Sequence, residues 1–291
     1  MPGYSGWVGS DLVSNSLTYL THGCSPAAEQ LVERSRAWLA QHGWHLLPLA
    51  EAPNPVALLA FGGDGTLLRA ADQVRGRNIP IVGINLGHLG FLTEADADDL
   101  PVVLEALIRG QWRIEDRATV VAETIEWSGE RRIDWALNEV TLEKATPQRM
   151  IEVHLRVDGR SLSTFGCDGV VVATPTGSTG HAFSAGGPVA WPEVEALLVV
   201  PVSAHALFAR PLVVAPTVEI AVTILPDSRS GGVVSFDSQR GWPLAAGGQL
   251  TVRRSAEPVR LVRFADAPFA DRLVRKFALP VDGWRAGKTI T

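Results

Sequence analysis

An unbroken apolar run, Val56-Ala57-Leu58-Leu59-Ala60-Phe61, empties directly into Gly62-Gly63-Asp64-Gly65-Thr66. A short apolar run bounded by glycines reads as a buried parallel strand. Leu67, Leu68 and Ala71 then fall at helical spacing, so the glycines form a strand-to-helix turn. Such a turn lets the backbone approach a phosphate closely and aims helix N–H groups at it. A carboxylate there repels the phosphate it faces, so Asp64 needs a reason. One reading is proton abstraction or metal binding. The other is a tight turn whose Asp caps the helix. Both stand on this segment alone.

The surrounding chain supports an α/β reading. Ser16–Thr21 predicts a first strand, and Cys24-Ser25-Pro26 offers a Ser cap with Pro at the first helical position. Leu31, Ala37 and Trp38 line one face of the helix that follows, which stops at Gln41-His42-Gly43. Strands are expected at 45–49, 56–61 and 79–84, a helix at 66–73, and another through Leu104, Leu107 and Ile108 to Gly110. This is the βαβ rhythm of a parallel sheet. The first ten residues read as a loose start.

After Gly110 the period becomes two. Strands are expected at 119–127 and 132–141, and at 151–157 and 161–165 around the hairpin signal Asp158-Gly159. More follow at 170–173, 197–201, 212–214, 218–225, 233–236, 250–253 and 259–264. This half reads as β-rich and antiparallel. Without a low-complexity linker, the two halves are expected to pack together with a ligand cleft between them.

Composition narrows the function classes. A chain of 291 residues favours two domains, and 46% hydrophobic with 20% charged residues describes a globular protein. A net charge of −5 argues against a nucleic-acid binder that works by phosphate neutralisation. The Arg-rich stretch from Arg253 to Lys276 is interrupted by Glu257, Asp266 and Asp271 and reads as a solvated face. Cys24 and Cys167 make no disulfide framework, and the seven histidines show no ligand spacing. With no signal-peptide pattern and no apolar stretch of membrane-span length, a cytoplasmic protein is expected. Residues 283–289 resemble a P-loop but are one residue short between the glycines.

Three further segments look built for a ligand. Gly83-Ile84-Asn85-Leu86-Gly87-His88-Leu89-Gly90-Phe91 is a strand end followed by spaced glycines, at the carboxyl edge where parallel sheets bind ligands. Asn138-Glu139 interrupts an apolar strand pattern; it could satisfy a buried backbone group or grip ribose hydroxyls. The stretch from Asp168 to Pro188 pours a buried strand into a loop dense in hydroxyls and glycines, Thr174-Pro175-Thr176-Gly177-Ser178-Thr179-Gly180. Such a loop supplies donors to a polar or anionic ligand without adding charge.

In this order, GGDGT (62–66), Asn85-Leu86-Gly87 through Gly90-Phe91-Leu92, Asn138-Glu139, Asp168-Gly169, the 174–179 loop and Ser184-Ala185-Gly186-Gly187-Pro188 closely resemble the NAD kinases. That family phosphorylates the adenosine 2′-hydroxyl of NAD to give NADP. Asp271-Arg272-Leu273-Val274-Arg275-Lys276-Phe277 is similar to the actinobacterial branch. The resemblance implies a two-domain fold: an α/β domain with a parallel sheet over 1–110 carrying the GGDGT motif, a β-rich NAD-binding domain over 111–265, and a 266–291 segment returning to the first, with the active site in the cleft between domains. It implies Asp64 as general base and Gly62, Gly63, Gly65 and Thr66 facing the diphosphate, with Arg69 one turn on. Asn138 and Glu139 match the NAD-holding pair, and Arg149 a basic position downstream of it. Asp168 and Thr179, Gly180, His181, Ala182, Phe183 and Ser184 match walls of the base-binding pockets, and Gln239 a Gln following a turn. ATP, or inorganic polyphosphate, would be the donor, with Mg²⁺ or another divalent cation held largely by its phosphates. NAD and ATP are the implied partners, in a homodimer or homotetramer, with no nucleic acid or membrane.

The chain departs from the family pattern at Gly180-His181, where Ala-Tyr is usual, at Ser238, where Gly is usual, and in its first fifty residues. GGDGT is also shared with lipid kinases, which have no use for the 174–179 loop. A non-catalytic NAD sensor would have no need of Asp64.

Overall fold

The computed structural model describes residues 14–281 apart from 22, 24, 88–89 and 265–267; the loose start, Cys24, the His88-Leu89 part of the glycine segment and the 283–289 stretch lie outside the described residues. The chain forms two compact units, one drawn from residues up to Asp116 and from Arg260 onward, the other from Arg117–Val259. In chain order the first unit opens with β1 (Ser16–Thr21), α1 (Pro26–Gln41), β2 (His45–Pro48), β3 (Leu58–Phe61), α2 (Asp64–Gln73), β4 (Ile81–Asn85), β5 (Ala95–Asp96), α3 (Leu100–Ile108) and β6 (Arg113–Arg117). The second holds β7 (Val120–Ile125), β8 (Arg131–Ala136), β9 (Glu139–Lys144), β10 (Ile151–Val157), β11 (Arg160–Cys167), β12 (Gly169–Ala173) and α4 (His181–Ser184). It continues through β13 (Leu197–Val202), β14 (Leu212–Val214), β15 (Ile220–Ile224), β16 (Gly232–Phe236), β17 (Arg240–Leu244) and β18 (Gln249–Arg254). Strand β19 (Val259–Arg263) and helix α5 (Phe269–Phe277) then return the chain to the first unit.

In the first unit a seven-stranded sheet runs β2-β1-β3-β4-β19-β6, with β5 also on β4. The pairs β1–β2, β1–β3, β3–β4, β4–β5 and β4–β19 are parallel. Helix α1 starts where Ser25 and Pro26 place it: Ser25 Oγ accepts the Ala28 N–H at 3.4 Å, and Gly43 turns the chain with φ +74° just past the end. Leu31, Val32 and Leu39 of α1 and Val103, Leu104 and Leu107 of α3 pack with Leu59, Phe61, Val82 and Ile84 into one core. The run 259–264, expected in the β-rich half, joins this sheet instead as β19. Its Val259, Leu261, Val262 and Arg263 are all buried, and burial on both faces suits the interior of a parallel sheet. With β6 and β19 both in this sheet, the β-rich unit is narrower at each end than 111–265.

The second unit stacks two six-stranded sheets, β11-β10-β15-β18-β7-β8 and β14-β13-β12-β9-β16-β17. Alternate residues of both, among them Val120, Leu142, Val153, Val172, Val222, Val234 and Leu250, share one core. The Asp158-Gly159 hairpin forms as predicted, with φ +49° and +72°. The stretch 132–141, expected as one strand, is two strands in different sheets, β8 and β9, parted at Leu137-Asn138. The cause is a side chain far along the sequence: the Asp237 carboxylate takes the N–H groups of Leu137, Asn138 and Glu139 at 2.9, 2.7 and 3.3 Å. Those amides are thereby diverted from any ladder.

Candidate active site

In the first unit the site is built on the glycine turn between β3 and α2. Gly62 has φ +156°, and a Cβ there would lie 2.1 Å from Thr66 Oγ1, so only glycine lets the strand meet the helix this closely. Gly63 is the N-cap, and no side chain caps α2. Asp64 therefore does not serve as its own helix's cap. Its carboxylate points into the segment after β4 instead, where Oδ2 accepts the Phe91 N–H and Oδ1 the Leu92 N–H, both at 2.9 Å. Gly90 makes room for it: a Cβ at that position would sit 2.2 Å from Asp64 Oδ1. Asp64 is half-buried, while Gly65 and Arg69 are exposed on the same first turns. The arrangement sets a guanidinium and an oriented carboxylate on the first turns of one helix, next to the glycine turn.

In the second unit the Asn138-Glu139 pair occupies the break between β8 and β9. The Asn138 carbonyl accepts the Thr174 N–H at 2.8 Å, and Thr174 Oγ1 donates to the Leu137 carbonyl at 2.6 Å. A Cβ on Gly177 would lie 2.1 Å from the Asn138 carbonyl oxygen, which makes glycine obligatory at this crossing. Ser178 Oγ donates to the Ala190 carbonyl at 3.2 Å and accepts its N–H at 3.0 Å. The hydroxyls of Thr174 and Ser178, read from the sequence as ligand donors, thus stitch the loop to its neighbours. The groups left over are Asn138 Oδ1 and Glu139 Oε2, buried and without a hydrogen-bond partner. A buried polar atom without a partner is costly unless a ligand completes it.

Glu139 is 4% exposed, and burial, reinforced by the nearby Asp237 and Glu143 charges, pushes its carboxyl up to about 8 even though the His181 N–H donates to it. Burial also raises Asp237, against the three backbone N–H groups that favour its charged form. Gly180 lies over the pair, its missing Cβ 3.1 Å from Glu139 Oε2. The half-buried His181 ring has Nε2 3.8 Å from Glu143 Oε1, Ala182 packs into the sheet face with Val171 and Val200, and Phe183 and Ser184 are exposed.

The remaining expected site residues lie apart from this cluster. Asp168 stands at the other end of the β9–β12 ladder, where Gly169 pairs with Glu143, four positions or roughly 13 Å from Glu139. There it forms an ion pair with Lys144 at 2.6 Å, which holds its carboxyl below the usual range. Arg149 is exposed beyond β9 and donates to the Arg229 carbonyl at 3.4 Å. Gln239 is exposed on the β16–β17 turn, its N–H bonded to the Phe236 carbonyl at 3.0 Å. Sequence reasoning gave Asp237 no role of its own, although it opens the turn that carries Gln239.

The family model of the ATP-NAD kinase N-terminal domain matches residues 17–112, and that of the ATP-NAD kinase C-terminal domain matches residues 137–264. The NAD kinase of Thermobifida fusca is 53% identical over 234 residues, 78% of this chain and 71% of that protein. The chain belongs to the ATP-NAD kinase family. A second actinobacterial NAD kinase, from Nocardia farcinica, is 53% identical over 233 residues, 78% of this chain and 70% of its own. Among solved structures, the NAD kinase of Archaeoglobus fulgidus in complex with ATP superposes with a TM-score of 0.73 at 29% identity, covering 91% of this chain and 99% of that one. Yeast NADH kinase complexed with NADH gives 0.80 at 20% identity over 96% and 90%, a likeness of fold. The two-domain NAD kinase fold, a sheet-and-helix N-terminal domain and a β-rich C-terminal one, is thus present. The family match opens at residue 17, inside β1. Ser238 adopts the left-handed conformation, φ +54°, that the family's usual glycine takes without penalty.

Proposed function

We propose that this chain is an NAD kinase that moves the terminal phosphoryl group of ATP to the 2′-hydroxyl of the adenosine ribose of NAD, with Asp64 as the general base. The observation that carries the reading is the Asp64 carboxylate, freed from capping and aimed by two backbone N–H groups beside a phosphate-sized glycine turn. An ionised carboxylate has about four acceptor positions, so two N–H bonds leave room for a hydroxyl proton. In the reaction the ribose O–H bond breaks towards Asp64, a new O–P bond forms, and the bond to the departing ADP breaks. Gly62, Gly63, Gly65, Thr66 and Arg69 hold the donor diphosphate. Asn138 Oδ1 accepts from an NAD hydroxyl or amino group. The Glu139 carboxyl, pushed up to about 8 and so largely protonated at neutral pH, exchanges a hydrogen bond with NAD through Oε2, which completes two polar atoms otherwise buried alone. Asp168, Arg149, Thr179, Gly180, His181, Ala182, Phe183, Ser184 and Gln239 complete the walls for the rest of the dinucleotide.

Among the described residues no three His, Cys, Asp or Glu side chains come together as a metal site. The divalent cation of this reading is held largely by the phosphates of the nucleotide substrate, and no step is routed through a protein-bound ion. Among the described residues no helix is long and apolar enough to cross a membrane. The reading extends to a cytoplasmic homodimer or homotetramer, which light scattering on the purified protein checks.

The deciding assay incubates the protein with NAD, Mg²⁺ and ATP and measures NADP with an NADP-specific dehydrogenase. Parallel arms replace ATP by inorganic polyphosphate and NAD by NADH. NADP formation with ATP is expected; none above a protein-free blank with either donor refutes the reading.

A further inference from the structure

The segment 91–94 between β4 and β5 belongs to no helix or strand, so its buried peptide groups find partners outside a regular ladder: the Glu94 N–H takes the Gly83 carbonyl at 2.8 Å, and side chains take most of the rest. On the N–H side Asp64 takes Phe91 and Leu92. On the carbonyl side Arg272 Nη1 donates to Phe91 at 3.2 Å and to Thr93 at 2.8 Å, and Arg263 Nη1 donates to Leu92 at 3.3 Å. The Phe91 carbonyl and the Leu92 N–H are two ends of one peptide unit. A continuous path therefore runs from the Arg272 guanidinium through that peptide plane to Asp64 Oδ1.

Arg272 is itself held. Its Nη2 meets Glu94 Oε2 at 2.7 Å, the same oxygen that Arg263 Nη1 reaches at 2.7 Å, and Arg263 also pairs with Glu115. Glu94 is 4% exposed and Arg272 13%, so this is a desolvated network with fixed geometry. The Phe91 ring lies between Phe269 and Phe277 of α5, with centroids 5.9 and 5.8 Å away. Helix α5 thus grips 91–94 at both the ring and the carbonyls.

We infer that Arg272 is a positioning residue for the phosphoryl transfer: by holding and polarising the Phe91–Leu92 peptide it fixes the rotamer of the Asp64 carboxylate. The inference rests on the reading of Asp64 as base. A peptide carbonyl bound to a cation makes its own N–H a stronger donor, so Arg272 both locates and strengthens the bond to Oδ1. It touches no substrate group.

The test compares R272M, R272K and R275G in the full chain, by NADP formation and thermal unfolding, and repeats R272M in a D64N background. R272M should lower kcat about tenfold, the scale on which misplacement of a reacting group by a fraction of an ångström acts, with KM for NAD and ATP within about twofold. Arg275 is exposed on the same helix, so R275G weakens α5 through helix propensity alone and should reproduce a thermal loss with kcat unchanged. R272K keeps a charge beside Glu94 without the planar fork, and kcat should still fall, by about threefold; it decides the matter if R272M does not fold. In D64N, R272M should add less than about a twofold loss, because its effect passes through Asp64. The positioning role is overturned if R272M and R272K keep wild-type kcat, if the R272M loss persists in full in D64N, or if R275G lowers kcat equally. A D64N enzyme of near wild-type kcat instead overturns the base reading, and the positioning role with it.

Discussion

Replacing Asp64 by Asn perturbs two things at once, and the structure separates their sizes. The amide keeps one acceptor oxygen and turns an NH₂ towards a backbone N–H, so either Phe91 or Leu92 loses its partner. An unsatisfied donor costs about 1–3 kcal/mol, and the low end applies because Asp64 is half-buried and water reaches it. At about 2–4 °C per kcal/mol for a domain of 150–250 residues, the melting temperature should fall by a few degrees. Against a folding stability of about 5–15 kcal/mol the protein stays folded, so this loss removes almost no active enzyme. The chemical loss is larger. A missing general base lowers kcat by about 10²–10⁴, which is about 2.7–5.5 kcal/mol of barrier. NADP formation at saturating NAD and ATP, with unfolding followed on the same preparation, measures both. A D64N kcat within about fivefold of wild type, the range that a loosened loop could explain, refutes the base assignment.

Gly90→Ala would press its Cβ against Asp64 Oδ1, 2.2 Å from the carboxylate, and should cut kcat at least about tenfold; unchanged kcat would show that the carboxylate orientation is immaterial. Glu139, raised on folding from 4.5 to about 8, adds stability that is full below its unfolded value and lost as pH rises through about 8. The wild-type melting temperature should therefore drop between about pH 5 and 8.5 more steeply than that of Glu139→Gln, and parallel curves would sink this account. Ser238→Gly relieves a left-handed serine, φ +54°, and should raise stability by about 1 kcal/mol; an unchanged or lowered melting temperature counts against it.

What the sequence made legible was local or motif-borne. Ser25, Pro26 and Gly43 bound α1, Asp158-Gly159 turns the β10–β11 hairpin, and the apolar run before Gly62 is the buried strand β3, each through neighbours a few residues away. The order of the glycine, Asn-Glu and Thr-rich motifs led to the family. What stayed hidden depends on partners far along the chain. Asp237 breaks 132–141 into two strands from about a hundred residues on, and Arg272 reaches Phe91 across 181 residues. Neither leaves a periodic trace, because a side chain that satisfies a distant backbone group obeys no local spacing.

Asp64 and Asp237 share one device, a carboxylate clasping consecutive backbone N–H groups of an irregular segment. They differ in what remains of the acid. Asp237 is buried and takes three N–H groups from Leu137, Asn138 and Glu139, so its acceptor positions are nearly consumed holding the break in place. Asp64 takes two, stays half-exposed beside a glycine turn, and keeps acceptor positions beyond the two N–H bonds. The identical residue type is structural in one unit and chemically available in the other. The distinction rests on burial and the count of N–H partners, two quantities that appear only when the chain is folded.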